Sequence, residues 1–149
     1  MAPLILIKIK NVTLLLAILS VVQATIFRAP KATIMITNAL NGTASTAILN
    51  VHIKSKDDDI GWHAIPNGGQ YEFSFHPRWF GGTLFFSRME WLTEFHYFDI
   101  YDQRRDQAKC DHCCWFVYPS GPCRYRCDRP TSHEMACFPW DSKNQLFIS

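Results

Sequence analysis

The sequence predicts an all-β fold, an antiparallel β-sandwich of about seven or eight short strands that disulfides stabilise. Apolar residues alternate with a period of two or run continuously, and turn residues interrupt them every eight to twelve positions. No segment after residue 24 has a helical period. The 149-residue chain carries eleven Phe, five Trp and five Tyr, which is enough to fill the space between two sheets.

Eight segments fit strands of ordinary length. Alternation is clearest where Tyr71, Phe73 and Phe75 point to one face and polar residues point to the other. Residues 66–69, Pro-Asn-Gly-Gly, give the strongest hairpin signal. The pattern assigns no clear strand to the last dozen or so residues, although a disulfide at Cys137 would fix them to the sandwich. The predicted strands are residues 33–37, 47–54, 61–65, 71–75, 83–91, 94–101, 114–118 and 123–127.

The N-terminus, residues 1–24, has the organisation of a secretion signal. Lys8 and Lys10 precede an apolar run of about nine residues, and small residues at alternate positions end at Ala24. A membrane anchor is the alternative, but crossing a hydrocarbon core needs roughly 20 apolar residues, so no stable membrane insertion is expected. We expect cleavage after Ala24 and a secreted, extracellular protein with a single domain at residues 25–149.

Loss of this leader changes the net charge. Lys8 and Lys10 leave with it, so the mature chain keeps 13 Lys and Arg against 13 Asp and Glu. A neutral chain lacks the basic footprint of nucleic-acid-binding proteins, so no nucleic acid partner is expected. We also expect a monomer without a cofactor.

All six cysteines lie between residues 110 and 137, behind 109 residues that contain none. In a secreted chain disulfides are the commoner fate of such a cluster, and six cysteines allow fifteen pairings. The alternatives are a tetrahedral zinc site with His112 nearby and redox catalysis by a Cys-x-x-Cys motif, and an oxidising compartment disfavours both. The disulfide candidates are Cys110, Cys113, Cys114, Cys123, Cys127 and Cys137.

Three consecutive acids, Asp57, Asp58 and Asp59, invite a calcium interpretation. Calcium loops alternate their ligands, whereas these residues are adjacent and are flanked by Lys54 and Lys56. A solvated turn is therefore the favoured interpretation.

Acids that could act in catalysis are few. Two of the residues Glu90, Glu94 and Asp99 would form an acid pair for glycoside hydrolysis if the strands brought them together. Alternation places Glu94, His96 and Phe98 on one face, which we interpret as a solvent-facing edge. Since no Ser-His-Asp spacing, nucleophile elbow, HExxH motif or phosphate-binding loop is present, we expect neither an enzyme nor catalytic or metal-binding residues.

The mature chain contains a single glycosylation sequon, Asn41-Gly42-Thr43. A glycan at Asn41 would mark the first strand connection as exposed, and the Asn-Gly pair is equally explained as a turn.

Ordered motifs run through nearly the whole mature chain, from residue 33 to residue 140. They are residues 51–61 (VHIKSKDDDIG), 73–75 (FSF), 83–86 (TLFF), 95–102 (FHYFDIYD) with Arg105-Asp106, Cys110-x-x-Cys113-x-Trp115, Gly121-Pro122-Cys123 and the Cys-Phe-Pro-Trp ending at 137–140. Together these motifs resemble the plant self-incompatibility S1 family, also called S-protein homologues.

The resemblance implies a small secreted plant protein with a β-sandwich, disulfides and no enzymatic activity. The family's founding members are pistil-expressed ligands that a pollen-surface receptor recognises, which arrests self pollen. We therefore expect a ligand for a cell-surface receptor protein in cell–cell recognition, either in pollen rejection or in another signalling context. The alternative is a secreted carbohydrate-binding or defence protein that acts at the cell wall through an exposed aromatic platform.

Recognition is expected at exposed loops on a rigid sandwich, namely residues 38–45, 57–61, 66–69 and 77–82. A different role for Trp79 is to cap the core beside Phe80. The candidate recognition residues are Asp57, Asp58, Asp59, Arg78 and Trp79.

The chain departs from the family pattern in its cysteines. Family members commonly carry cysteine where this chain has Ile53 and Ser87, whereas Cys114 and Cys127 are additions. We hypothesise that the two missing cysteines normally pair across neighbouring strands, because losing only one would leave a free thiol. If their partners were instead Cys113 or Cys137, the added cysteines would rewire the framework.

Overall fold

The computed structural model describes residues 2–26, 29–127 and 135–141, and its strands form two facing β-sheets. The all-β prediction is confirmed. In chain order the elements are helix α1 (Ala2–Ile26), strand β1 (Ala32–Asn38), a 3₁₀ turn (Gly42–Ala44), β2 (Leu49–Lys54), β3 (Asp59–Ile65), β4 (Gln70–Phe75), β5 (Leu84–Trp91), β6 (Glu94–Asp102), helix α2 (Gln103–Asp106), β7 (His112–Tyr118), β8 (Gly121–Arg126) and β9 (Ala136–Cys137).

The strand order is β4-β1-β7-β8-β9 in a five-stranded sheet and β3-β2-β5-β6 in a four-stranded sheet. Neighbouring strands are antiparallel except β1 and β7, which run parallel, with Thr33 opposite His112. Side chains alternate in the same way in both arrangements, so the sequence pattern does not reveal the parallel pair. Each predicted strand overlaps an observed one.

The hairpin predicted at residues 66–69 is wrong, because the strands on either side, β3 and β4, lie in different sheets. The turn itself forms, with Gly68 at a φ of 72°. Its backbone bonds to the end of β1 instead: the Gly68 N–H donates to Asn38 O at 2.8 Å, and the Asn38 N–H donates to Gly69 O at 3.0 Å. The turn therefore carries the chain from one sheet to the other.

Two short elements escape the sequence pattern. Helix α2 is a single turn, too short for a recognisable period, and the side chain of Asp102 caps it by accepting the Arg104 N–H at 2.9 Å. Strand β9 has two residues, and Cys137 within it pairs in register with Cys123. The end of the chain after Asp141 lies outside the described residues.

Aromatic and branched aliphatic side chains fill the space between the sheets. Trp115 and Tyr101 are the largest of the fully buried side chains, one from each sheet. Such interdigitated packing is the main source of stability in a sandwich of this size. The core includes Ile34, Ile36, Val51, Ile53, Phe73, Phe85, Met89, Trp91, Phe98, Ile100, Tyr101, Trp115 and Val117.

The solvent-facing interpretation of Glu94, His96 and Phe98 is wrong for two of the three. Strand β6 is at the edge of its sheet, but Phe98 is only 3% exposed and belongs to the core. The His96 ring stacks on Trp91 and on Trp140, at centroid distances of 4.8 and 4.7 Å, and of the three residues Glu94 alone is exposed. Alternation separates two faces of a strand without saying which one meets the core.

A buried ionic cluster joins the two sheets. Asp106, 0% exposed, accepts hydrogen bonds from Arg105 Nε and Nη2 at 2.8 and 2.7 Å and from the Asp102 N–H at 2.9 Å. Arg124 on β8 also donates to this carboxylate. Because Arg105 and Asp106 follow β6, the cluster ties the end of the four-stranded sheet to β8 of the other sheet.

Helix α1 contains the predicted leader and ends at Ile26, just beyond Ala24. The side chains of residues 7–20 are exposed. Among the described residues, no helix combines the length and apolar character needed to cross a membrane.

Candidate recognition surface

The predicted recognition loops lie at opposite ends of the sandwich. Residues 57–61 and 77–82 follow β2 and β4, which end on the same side of the molecule. Residues 38–45 and 66–69 follow β1 and β3 and contact each other at the other end. The structure therefore presents two separate loop pairs instead of one surface.

An ion pair between Arg78 Nη2 and Asp57 Oδ2 joins the first two loops. The backbone of Arg78 is held as well, because its N–H donates to Thr83 Oγ1 at 2.8 Å and its carbonyl accepts from Gln103 Nε2 at 2.9 Å. Both charged side chains are about half exposed, so the pair contributes no more than about 1 kcal/mol. Its effect is to hold two candidate loops side by side.

Two exposed aromatic residues, Trp79 and Phe80, form the tip of this loop, and we call them the aromatic tip. Trp79 is 61% exposed and Phe80 is 84% exposed, so capping of the core by these residues is wrong. Gly81 and Gly82 follow with φ of 89° and 75°, a backbone conformation that side chains disfavour. The turn that these glycines permit leaves the tip in solvent, and Leu84, also exposed, extends the apolar surface.

The three aspartates do not converge. Asp57 contacts Arg78, whereas Asp59 lies at the start of β3, with Oδ1 2.9 Å from His52 Nε2 and Oδ2 3.1 Å from Lys54 Nζ. Hydrogen bonds from Lys54 and then from His52 lower the pKa of Asp59. Asp58 is exposed. The carboxylates point to separate partners, as expected for a solvated turn and not for a calcium loop.

The second loop pair is organised around Asn38, which is buried. Its Nδ2 donates to Ala47 O at 3.0 Å and to Ile65 O at 2.9 Å, and Asn67 Nδ2 donates to Leu40 O at 2.8 Å. Asn41 is exposed immediately before the 3₁₀ turn. The sequon therefore lies at the end of the molecule opposite the aromatic tip.

All six cysteines form disulfides, Cys110–Cys113, Cys114–Cys127 and Cys123–Cys137. The added cysteines, Cys114 and Cys127, pair with each other, and the four that match the family pattern pair among themselves. The extra bridge therefore involves none of the other four cysteines.

The positions of the two missing cysteines are also informative. Ile53 on β2 and Ser87 on β5 are direct cross-strand neighbours, and both are fully buried. A cysteine pair at these positions has the neighbouring-strand arrangement that the hypothesis requires. Cys113 and Cys137, the partners named in the alternative, are bonded in this chain to Cys110 and Cys123.

Three of the residues that could have formed a zinc site lie close together. His112 and the sulfurs of Cys114 and Cys127 are within 4.8 Å of one another, but both sulfurs belong to one disulfide. Zinc requires thiolates, so this set as bonded does not hold the ion. His112 Nε2 instead contacts Glu72 Oε2 at 3.1 Å.

The structure does not bring the three candidate catalytic acids together. Glu90 is opposite Phe95 on the outer face of the sheet, whereas Glu94 contacts His96 at 3.3 Å on the other face. Asp99 lies beside Asp141, and burial, followed by the charge of Asp141, raises the pKa of its carboxyl group. Glu90, Glu94 and Asp99 therefore each contact a different partner: Arg88, His96 and, through the Asp99 N–H, Asp141.

Sequence reasoning missed Phe80 as a recognition candidate, although it named the neighbouring residues Arg78 and Trp79. The signal that could have found the tip is the pattern itself: two adjacent aromatic residues directly before two glycines, outside any strand. The ion pair between Asp57 and Arg78 depends on the fold and had no such signal.

Comparisons with known proteins point to one family. The sequence profile of the family described as "Plant self-incompatibility protein S1" matches residues 33–140. No solved structure matches the chain.

Individual relatives agree with this match. S-protein homolog 5 from Arabidopsis thaliana is 41% identical over 107 residues, which cover 72% of this chain and 76% of the relative. S-protein homolog 2 from Arabidopsis thaliana is 38% identical over 121 residues, covering 78% and 72% of the two chains. S-protein homolog 19 from the same plant is 36% identical over 104 residues, covering 70% and 74%.

Proposed function

This chain belongs to the plant self-incompatibility protein S1 family, and we propose that it is a secreted ligand recognised by a cell-surface receptor protein. The family is not known for enzymes. The proposed mechanism is binding alone, in cell–cell recognition during pollen rejection or in another signalling context.

The aromatic tip is the observation that carries this proposal. Large aromatic side chains supply most of the binding energy at protein interfaces when they enter a pocket of the partner. Trp79 and Phe80 stand in solvent on a loop that is fastened through Arg78 to Asp57 and Gln103. A fastened loop loses little conformational entropy on binding, which favours affinity.

Secretion supports the same function. We propose that the leader is cleaved after Ala24 and that the six cysteines oxidise in the secretory pathway, where disulfides form readily. A glycan at Asn41 would lie at the end opposite the aromatic tip and would leave the tip accessible.

Plasma-membrane proteins from plant tissue test the proposal. Mature protein, residues 25–149, is immobilised in oxidised form, and receptor capture is compared with that by the double variant Trp79→Ala/Phe80→Ala. Removal of two exposed side chains spares the core, so we expect an intact fold and a loss of specific capture of at least tenfold.

Ile48→Ala is the matched control, because Ile48 is an exposed apolar residue at the opposite end of the sandwich. This variant should capture as the parent does. If the parent captures no protein specifically, or if both variants lose capture equally, the proposed ligand surface is wrong.

A further inference from the structure

The outer face of the four-stranded sheet carries a row of planar side chains, one from each strand. In register, Trp62 on β3 faces His52 on β2, His52 faces Arg88 on β5, and Arg88 faces Tyr97 on β6. The residues that flank His52 and Arg88 along their strands are buried, so the row points away from the core. We call these four residues the cross-strand row. With strands about 4.8 Å apart, it is about 14 Å long.

The rings at both ends of the cross-strand row are held in place. The Trp62 indole, 51% exposed, stacks on His52 at a centroid distance of 4.8 Å and an interplanar angle of 19°. His52 Nε2 is in turn 2.9 Å from Asp59 Oδ1. At the other end, the Tyr97 ring meets Phe95 edge to face, with a centroid distance of 6.0 Å and an interplanar angle of 79°. The Arg88 guanidinium lies 5.0 Å from the ring centre of Phe95, which is 38% exposed. The face thus offers two oriented aromatic surfaces without a pocket.

A second row beside the first supplies hydrogen-bonding groups. Ala64, Asn50, Glu90 and Phe95 are paired in register across the same four strands. The small Ala64 leaves the Trp62 edge open, while Asn50 is exposed and offers both a donor and an acceptor. Aromatic faces therefore alternate with polar groups over a short distance.

The charges on this face compensate one another. Glu90 is bonded to Arg88, and Asp59 is paired with Lys54 and His52. The charges around the cross-strand row are therefore paired with one another, which favours neither an anionic nor a cationic partner. The ionised groups keep free hydrogen-bonding positions, which suit a neutral ligand rich in hydroxyl groups.

We propose that this face binds a neutral oligosaccharide chain lying across the strands. The apolar C–H face of a sugar ring packs on the negative face of an aromatic ring, as Trp62 and Phe95 would allow, and its hydroxyls bond to groups such as Asn50 and Glu90. A protein partner fits less well, because acidic residues are depleted at the centres of protein interfaces and Glu90, ion-paired with Arg88, lies at the centre of this face. Desolvating those ions under a protein would be unfavourable.

Affinity electrophoresis and calorimetry test the proposal on oxidised mature protein. The probes are cellohexaose, xyloglucan and galactomannan as neutral chains, and polygalacturonate as an anionic chain. We expect binding to at least one neutral chain, weaker binding to polygalacturonate, and a loss of roughly tenfold in affinity for Trp62→Ala. Trp62→Phe, which keeps an aromatic face, should recover part of that affinity.

Phe80→Ala is the matched control, because it removes an exposed aromatic residue from the aromatic tip and not from this face. It should bind the neutral chains as the parent does. Absence of binding to all three neutral chains, or unchanged binding by Trp62→Ala, would overturn the glycan site. So would Trp62→Ala losing only protein capture, which would make the face a protein interface. The aromatic tip is tested separately, so failure here leaves the receptor proposal standing.

Discussion

The two sheets share one core but are held together by different means. All three disulfides involve β7, β8 and β9 or the residues next to them, so they brace the five-stranded sheet. The four-stranded sheet contains no cysteine and relies on its backbone ladder, with charged pairs such as Arg88–Glu90 on its outer face.

The contrast is clearest between the longest strands and the shortest one. Strands β5 and β6 have eight and nine residues and pair along most of their length, whereas β9 has only two. Two residue pairs cannot hold a strand in water, and the bridge between Cys123 and Cys137 joins those strands covalently. At β9 the covalent bond therefore lies where the hydrogen-bonded pairing is shortest.

The link between the sheets should be the most sensitive point. Asp106→Asn removes the charge that faces Arg105 and Arg124 and leaves two buried cations without their anion. We expect a loss of about 3 to 5 kcal/mol in the free energy of unfolding, measured by urea denaturation. The exposed control Asp58→Asn should change stability by less than about 0.5 kcal/mol. A loss below about 1 kcal/mol for Asp106→Asn would show that the cluster does not join the sheets energetically.

Removing disulfides should affect one sheet before the other. For bridges that span 13 and 3 positions, loss of Cys114–Cys127 should cost about 3 kcal/mol and loss of Cys110–Cys113 about 2 kcal/mol, as Cys→Ser pairs. Hydrogen exchange should accelerate first in β7 and β8, where these two bridges lie, because the four-stranded sheet has no bridge to lose. Equal acceleration in β5 and β6 would contradict the division between the sheets.

A new disulfide should add a covalent link to the four-stranded sheet. Ile53→Cys/Ser87→Cys places two cysteines directly opposite each other on β2 and β5. We expect a fourth bridge, detected by peptide mass mapping, and a gain of up to about 2 kcal/mol, since engineered bridges often deliver less than loop length suggests. The single variant Ile53→Cys is the control and should retain a free thiol. Two free thiols in the oxidised double variant would refute the proposed pairing of these positions.

The smallest expected effect concerns alkaline pH. Burial, followed by the charges of Asp106, Asp102 and Asp111, raises the pKa of Tyr101 to about 12. The unfolded residue loses its proton near pH 10 while the folded one keeps it, so stability falls as the pH rises from 10 to 12. Tyr101→Phe should remove about 1 kcal/mol of the loss measured between pH 9 and pH 11, whereas Tyr118→Phe should not. Identical pH profiles for Tyr101→Phe and the parent would rule out this contribution.

Local patterns in the sequence predicted most of the strands and one of the sheet faces. Tyr71, Phe73 and Phe75 alternate with polar residues, and the structure buries them on one face to different degrees. Such alternation depends only on neighbouring residues, because side chains along a strand point alternately to its two faces. It can therefore be read directly from the sequence. The same information could not tell that Phe98 points inward, because both faces of its strand carry aromatic residues.

Contacts between distant residues were beyond the sequence. The pair Asp57–Arg78, the fifteen possible disulfide pairings and the crossing from β3 to β4 all depend on which strands become neighbours. Family resemblance supplied the receptor hypothesis but not the aromatic tip, since exposure of Trp79 and Phe80 follows from how their loop is fastened. The sequence therefore predicted elements better than the surfaces formed between them.

The parallel pairing of β1 with β7 has a consequence for the order of synthesis. Strand β1 is the first to emerge from the ribosome, yet its partners are β4 and β7, and β7 arrives together with Cys113 and Cys114. Contacts of such high sequence separation slow folding. Strand β4 can pair with one edge of β1 early, but we expect the other edge, beside the apolar Ile34 and Ile36, to stay open until β7 has been synthesised. Sheet closure and thiol oxidation then fall within the same interval, so a nascent chain stalled before residue 112 cannot complete its five-stranded sheet.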